Sequence, residues 1–90
     1  MSKYLLDIIK DDMTEAAFQT KLIKTYEADG WYVVKLIQCN KAGMPDLMLL
    51  KDKEVRFVEV KAPKGRLSAV QEYRHAELSA KGFTVETVKP

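Results

Sequence analysis

The chain has very few of the residues that build disulfide frameworks and zinc sites. Its 90 residues include one cysteine, Cys39, and one histidine, His75. A single thiol cannot form an internal disulfide, and structural zinc sites usually take four Cys or His ligands. Any metal bound here is therefore expected to be a hard cation held by oxygen ligands, magnesium or manganese before zinc.

Long hydrophobic runs are also absent. The longest uninterrupted apolar run has four residues, so no segment is predicted to span a bilayer. The first residues lack the apolar stretch of a signal peptide, and we expect an intracellular, cytoplasmic protein with no membrane partner. With 47% hydrophobic and 31% charged residues, the composition is that of a folded globular domain rather than a disordered chain.

The small net charge of +2 is unevenly distributed. Between residues 35 and 66 the basic residues exceed the acidic ones by four, so the rest of the chain carries a net charge of −2. A basic region around central acids is expected if a polyanion approaches them. Solvated lysines on loops would give the same count, and the charge pattern alone leaves both interpretations open.

The hydrophobic periodicity predicts one α/β domain over residues 1–90, with a mixed sheet of about four strands flanked by helices. A short amphipathic helical extension is predicted over residues 1–13. Two longer helices are predicted over residues 14–29, capped by Asp12 or Thr14 and ended by Gly30, and over residues 68–81, ended by Gly82. The predicted strands cover residues 31–38, 46–50, 55–61 and 83–88.

Charged residues stand in two predicted strands that otherwise resemble core. Asp46 opens the strand at 46–50, while Glu59 and Lys61 interrupt and close the strand at 55–61. Charges in such positions call for an explanation because burying them is costly. Glu59 and Lys61 are two residues apart and therefore share one face of the sheet.

The turn between these strands predicts where the acids meet. If Asp52-Lys53 is a two-residue hairpin loop, Lys51 faces Glu54, and counting back places Asp46 opposite Glu59. Directly opposed residues point to the same face. The sequence therefore predicts two carboxylates and a lysine at one point of the sheet.

A divalent cation would explain this combination. Two carboxylates about 5 to 6 Å apart repel by about 3 kcal/mol at an effective dielectric near 20. A cation between Asp46 and Glu59 reverses that sign and would take the Val60 carbonyl as a further hard ligand. Lys61 would then orient or help deprotonate an attacking water and offset charge on a phosphoryl group. The alternative, a structural salt bridge to Lys61, leaves the second acid unexplained.

Several other polar and aromatic residues have structural explanations that compete with functional ones. Glu15 shares a helix face with Phe18 and Leu22 and so looks toward the core, but a Glu in a first helical turn commonly serves the helix dipole or a capping box. Gln71 forms an S-x-x-Q capping box with Ser68. We expect a surface or packing role for His75, core or interface roles for Trp31, Tyr32, Tyr73 and Phe83, and phosphate contacts for the loop residues Lys41, Lys64 and Arg66.

Three runs of the sequence together resemble the VRR-NUC branch of the PD-(D/E)xK nuclease superfamily. They are Gly43–Leu47 with its G-x-P-D-L pattern, Phe57–Ala62 with E-x-K, and Gly65–Gln71 with G-x-L-S-x-x-Q. E-x-K alone is weak evidence, but the three patterns at short spacing are specific. The resemblance covers residues 14–88 and implies a restriction-endonuclease-like core.

The resemblance also implies a site with assigned roles. A divalent metal, Mg²⁺ or Mn²⁺, would be bound by Asp46 and Glu59 with the Val60 carbonyl, and Lys61 would be the catalytic lysine. Glu15 would reach the metal through water, and Gln71 would steady the lysine or the nucleophilic water.

The expected activity is structure-selective cleavage of DNA. Stand-alone members of the family resemble dimeric Holliday-junction resolvases, and 90 residues can grip only a few base pairs, so a homodimer acting on branched DNA is expected. Three alternatives stay open. They are a catalytically silent junction-binding module, a restriction-like sequence-specific endonuclease, and a small structural or regulatory protein whose acids and lysine pair within the sheet.

Overall fold

The structure is a computed structural model that describes residues 13–90. Its elements are α1 (Glu15–Ala28), β1 (Tyr32–Lys35), β2 (Leu47–Lys51), β3 (Glu54–Val60), α2 (Ala69–Ala80) and β4 (Thr84–Val88). The strands form one sheet in the order β1-β2-β3-β4, antiparallel except for the parallel pair β3 and β4. The predicted α/β class with a mixed four-stranded sheet is confirmed. The helical extension predicted over residues 1–13 lies outside the described residues except for Met13, which is not helical.

Both described helices begin and end where the sequence predicts. Thr14 has extended backbone angles, and its hydroxyl accepts a hydrogen bond from the amide three residues later at 3.1 Å. In α2 the capping box is complete, since the Ser68 hydroxyl accepts from the Gln71 amide and the Gln71 Oε1 accepts from the Ser68 amide. Gly30, just beyond α1, has the positive φ that favours glycine at a helix end.

The turn between β2 and β3 fixes the register of the site. Residues 52 and 53 have φ angles of 50° and 68°, as the two central residues of a type I′ hairpin turn require. The ladder runs from this turn to the pair Leu47 and Val58. The next residues beyond it are Asp46 and Glu59, so the predicted opposition is present.

The first strand is shorter than predicted. It ends at Lys35, which pairs with Leu47, whereas the hydrophobic pattern extended it to Gln38. One more hydrogen bond runs from the Leu36 amide to the Asp46 carbonyl, and the ladder does not continue past it. The apolar residues after Lys35 therefore belong to a loop, and the Ile37 side chain is 83% exposed.

Helix α1 covers one face of the sheet, and α2 approaches the other face. The alternation along β3 separates these surfaces, with Val58 and Val60 in the core and Phe57 in edge-to-face contact with Phe83 at 5.9 Å. Within the described part of the chain, no helix is both long and apolar enough to cross a membrane. The buried core comprises Trp31, Leu47, Leu49, Val58 and Val60, packed by Phe18, Leu22, Ile23, Tyr26, Val33 and Val88.

The aromatic residues divide between core and surface. Trp31 is buried, as expected. Tyr32 and Tyr73 are 70% and 63% exposed, so a core position is wrong for these two, and Phe83 is partly exposed. For Tyr32 and Tyr73, the alternative role at an interface stays a prediction.

Candidate metal centre and active site

Asp46 is held at the open end of the β2–β3 hairpin by its backbone and its side chain. Its carbonyl accepts a hydrogen bond from the Leu36 amide at 2.8 Å. Its Oδ2 accepts one from the Val60 amide, also at 2.8 Å. These bonds fix the carboxylate beside Glu59, the residue that precedes Val60.

Glu59 is the only fully buried charged side chain among residues 13–90, with 1% of its surface exposed. Burial is the largest of the causes that together raise the pKa of Glu59 to about 8, and the next are its hydrogen bond with Asp46 and the charge of that acid. Glu59 therefore keeps its proton near neutral pH when no cation is present. Ionising both acids would be unfavourable without a compensating positive charge.

Lys61 and Glu15 act on this pair through their charges. The Lys61 ammonium lowers the pKa of Glu59, and the Glu15 carboxylate at the start of α1 raises it. Within residues 13–90, Lys61 makes no ion pair within 4.0 Å. The structural salt bridge considered above is therefore not formed, while Asp46, Glu59, Lys61 and Glu15 do influence one another.

His75 is the residue that the sequence reasoning missed. Its Nε2 lies 3.1 Å from Glu59 Oε1, and its side chain is 12% exposed, so of the predicted surface or packing role only packing is left. Burial, followed by the Lys61 charge, lowers the pKa of His75, which favours a neutral imidazole. The signal was available, because His75 follows Gln71 by four residues and must share its helix face.

Gln71 and Val60 have positions that leave their implied roles as predictions. The Gln71 Oε1 is used in the capping box, as the residue pattern indicated, and its side chain is partly buried. Val60 is fully buried and its amide bonds Asp46, while nothing in the structure tests its carbonyl as a ligand.

The loop that delivers Asp46 is clamped to helix α2. Gly43 has a φ of +80°, and a Cβ there would lie 2.5 Å from the Val70 carbonyl oxygen. Arg74, one residue before His75, donates from Nε to the Ala42 carbonyl at 2.8 Å. The clamp explains why glycine precedes the Pro-Asp motif, and it ties Asp46 to the helix that carries His75.

The three basic residues expected to contact phosphate lie exposed on loops. Lys64 and Arg66 are in the segment from β3 to α2, and Lys41 is in the segment from β1 to β2. The pKa of Glu77 on α2 is lowered mainly by its hydrogen bond with Arg74, and the charge of Lys41 adds to this effect. A groove of about 290 Å³ adjoins Lys41 and does not include the carboxylates.

The donor set fits a hard divalent cation that keeps several waters. Among residues 13–90, no group of three His, Cys, Asp or Glu side chains is gathered closely enough to enclose an ion. Two adjacent carboxyl groups are present, and the buried one, Glu59, stays protonated near neutral pH when no metal ion is bound. Magnesium-type sites commonly use one or two carboxylates, and water and phosphate oxygens complete the coordination. Asp46 and Glu59 can provide the two carboxylates.

The comparison with known families agrees with this geometry. The model of the VRR-NUC domain matches residues 9–89, nearly the whole chain. No curated protein matches the chain significantly. With the four-stranded mixed sheet and the paired acids at its hairpin end, the match shows that this chain belongs to the VRR-NUC family of nucleases.

Proposed function

We propose that this protein is a metal-dependent, structure-selective DNA endonuclease that acts as a homodimer on branched substrates such as Holliday junctions. The observation that carries the proposal is the buried Glu59 carboxyl against Asp46, within the field of Lys61. Such an arrangement is unfavourable for folding alone, because the carboxyl must stay protonated or meet a cation. Family membership supports the nuclease chemistry.

The ion would be held by the Asp46 and Glu59 carboxylates, with the Val60 carbonyl as an additional ligand and Glu15 acting through water. When bound, Mg²⁺ or Mn²⁺ would neutralise phosphate charge and make a bound water more acidic. Asp46 is already oriented by the Val60 amide, which leaves its second oxygen for this purpose. Glu15 lies close enough to affect the Glu59 pKa, which supports its inclusion.

Lys61 would supply a positive charge at the site whether or not the ion is bound. Its ammonium orients the attacking water and offsets charge that builds on the phosphoryl oxygens in the transition state. Its freedom from ion pairs within residues 13–90 supports this role. The Gln71 amide nitrogen, a donor separate from the capping oxygen, would steady the lysine or the water.

DNA would be gripped by exposed basic loops, and a second subunit would supply the opposing site. Lys41, Lys64 and Arg66 would contact phosphates, which position DNA without reading its sequence. Large apolar side chains that stay substantially exposed support a subunit contact, which would cover them. These are Tyr32, Ile37, Tyr73 and Phe83.

A side-by-side cleavage assay tests the proposed reaction. Four-way junction, fork, flap and linear duplex are each incubated with Mg²⁺, with Mn²⁺ and with EDTA. We expect wild type to cut the four-way junction in either metal and not in EDTA, whereas Glu59→Ala and Lys61→Ala are inactive. Ser79→Ala, an exposed position on α2, serves as a folded and active control.

Different results would select the alternatives. Junction binding without cleavage in any metal would indicate a silent binding module. Sequence-dependent cutting of linear duplex would indicate a restriction-like enzyme. Absence of saturable Mn²⁺ binding in isothermal titration would contradict the metal site, and unchanged binding in Asp46→Asn would contradict its assignment.

The homodimer is tested separately. Static light scattering at micromolar protein concentration should give twice the 10.3 kDa chain mass. A monomer at that concentration would contradict the dimer while leaving the nuclease chemistry intact.

A further inference from the structure

We infer that His75 is a positioning residue whose Nε2–H holds the Glu59 carboxylate in the orientation that binds the divalent ion, an inference that rests on the proposed function. The two side chains meet at 3.1 Å and are 12% and 1% exposed. The pair is therefore shielded from water. In such a low-dielectric setting, a single hydrogen bond fixes the geometry of its partners more strongly than it would at the surface.

The direction of the hydrogen bond follows from the state that binds metal. A carboxylate that ligates a cation has lost its proton and can only accept hydrogen bonds. Nε2 must then be the donor to Glu59 Oε1, which selects the tautomer with its proton on Nε2. The bond occupies Oε1 and leaves Oε2 available as a ligand oxygen for the ion.

The position of His75 is set by the same contacts that set Asp46. The capping box fixes the first turn of α2, and Arg74 ties the next turn to the loop before Asp46. Gly43 brings that loop against the backbone of the helix. Movement of α2 would therefore displace His75 and Asp46 together. The position of the imidazole is thus linked to the positions of both carboxyl groups.

A role in packing alone leaves the Glu59 contact unexplained. An apolar side chain at position 75 would fill the space but would leave Glu59 Oε1 without this partner. Among residues 13–90, no buried side-chain nitrogen or oxygen lacks a hydrogen bond. Partners of metal-binding groups commonly change metal affinity or activity by about 10- to 100-fold when removed.

The test compares three substitutions that differ in where a donor remains. Gln places its amide nitrogen near the position of Nε2, Asn places it near Nδ1, and Leu has no donor. The affinity for Mn²⁺ alone is measured by isothermal titration, kcat and KM are measured on a four-way junction, and melting is measured in EDTA. Ser79→Ala on the same helix is the matched control.

We expect His75→Leu to weaken Mn²⁺ binding by about 10- to 100-fold. Its kcat should fall while KM for DNA stays unchanged, because no DNA contact is removed. His75→Gln should recover most of the affinity and His75→Asn should not. If His75→Leu proves too unstable to measure, the Gln and Asn pair still decides the inference.

Two results would overturn the inference while leaving the proposed function in place. The first is wild-type Mn²⁺ affinity in His75→Leu, and the second is equal recovery by Gln and Asn. Absence of Mn²⁺ binding in wild type would instead overturn both. The titration of wild type therefore separates the two failures.

Discussion

The two faces of strand β3 place residues of the same burial in opposite chemical settings. Val58 and Val60 are 1% and 0% exposed and pack with α1 in the apolar core. Glu59, between them, is equally buried but faces Asp46 and His75 instead. Burial stabilises the first pair and opposes ionisation of the second residue. One face of the strand therefore stabilises the fold. The other holds a buried carboxyl group whose ionisation a bound cation would favour.

The largest effect on cleavage should come from Glu59→Gln, which changes the polar face of β3 and leaves the apolar face intact. The amide keeps the shape of the protonated acid but replaces a charged carboxylate ligand with a neutral carbonyl oxygen, which holds a divalent ion less strongly. Cleavage should fall by more than about 100-fold, the upper range for removing a group that only supports a ligand. In EDTA at pH 8.5 the variant should melt at a higher temperature than wild type, because the amide cannot ionise. Wild-type activity in Glu59→Gln, or a melting temperature below that of wild type, would contradict the assigned role of the polar face.

Leu49→Ala tests the opposite face. Leu49 is 1% exposed in the core cluster, and its truncation should cost about 2 to 5 kcal/mol of unfolding free energy, measured by urea denaturation. Leu49→Met, which conserves volume, should cost less than about 1.5 kcal/mol. At a temperature where both variants are folded, Mn²⁺ affinity should stay at the wild-type value. A loss of affinity in folded Leu49→Ala would show that the two faces are not independent.

Gly43→Ala tests the clamp that joins the Asp46 loop to α2. Its Cβ would meet the Val70 carbonyl oxygen, whereas a Cβ at Gly82 meets no atom within 4 Å, although both glycines have positive φ. Both alanine variants should lose about 1 to 3 kcal/mol through backbone strain, measured by urea denaturation. Only Gly43→Ala should also weaken Mn²⁺ binding, because only that change displaces the loop. Equal Mn²⁺ affinity in the two variants would mean that the clamp does not position Asp46.

The pH dependence of stability in EDTA should reveal the proton held by Glu59. Between its ordinary pKa of 4.5 and the folded value of about 8, the folded state holds a proton that the unfolded state has lost. Stability contributed by Glu59 is therefore present at low pH and is lost as pH rises toward 8. The pKa of His75 is lowered from 6.5 and acts in the opposite direction at more acidic pH, so the window from pH 7 to 8.5 isolates Glu59.

Melting temperatures at half-unit pH steps check this behaviour. Wild type in EDTA should lose stability from pH 7 to 8 and level off above that range, and Glu59→Gln should show a flatter profile. Added Mn²⁺ should raise the wild-type melting temperature more at pH 8 than at pH 6, since metal binding requires both carboxylates ionised. A wild-type profile that rises through this window would contradict the protonated state of Glu59.

The smallest effects are expected at the exposed loops. Lys64→Ala should weaken binding to all DNA substrates equally and reduce the slope of log K against log salt by about 1, as for a phosphate contact. Lys24→Ala, at an exposed position on α1, is the matched control and should change neither quantity. Fluorescence anisotropy over a salt series measures both. An unchanged slope in Lys64→Ala would remove this residue from the DNA interface.

Local sequence signals were sufficient for the elements and the hairpin register. The Ser68 cap and the glycines after each helix depend on neighbouring residues alone and were predicted correctly, and Thr14 was one of two candidates for the first cap. The end of β1 was not predicted, because it depends on where its partner strand β2 begins to pair. A strand boundary set by a partner segment leaves no mark in the strand's own residues.

The sequence by itself determined that Asp46, Glu59 and Lys61 would meet, because a two-residue turn and the alternation of side chains along strands are local geometry. The tertiary structure alone decided how deeply Glu59 is buried and that His75 is its partner. The packing of α2 on the sheet sets both, through contacts between residues far apart in the chain. Desolvation depends on everything that surrounds a group, so the raised pKa of Glu59 could not be predicted from the motif.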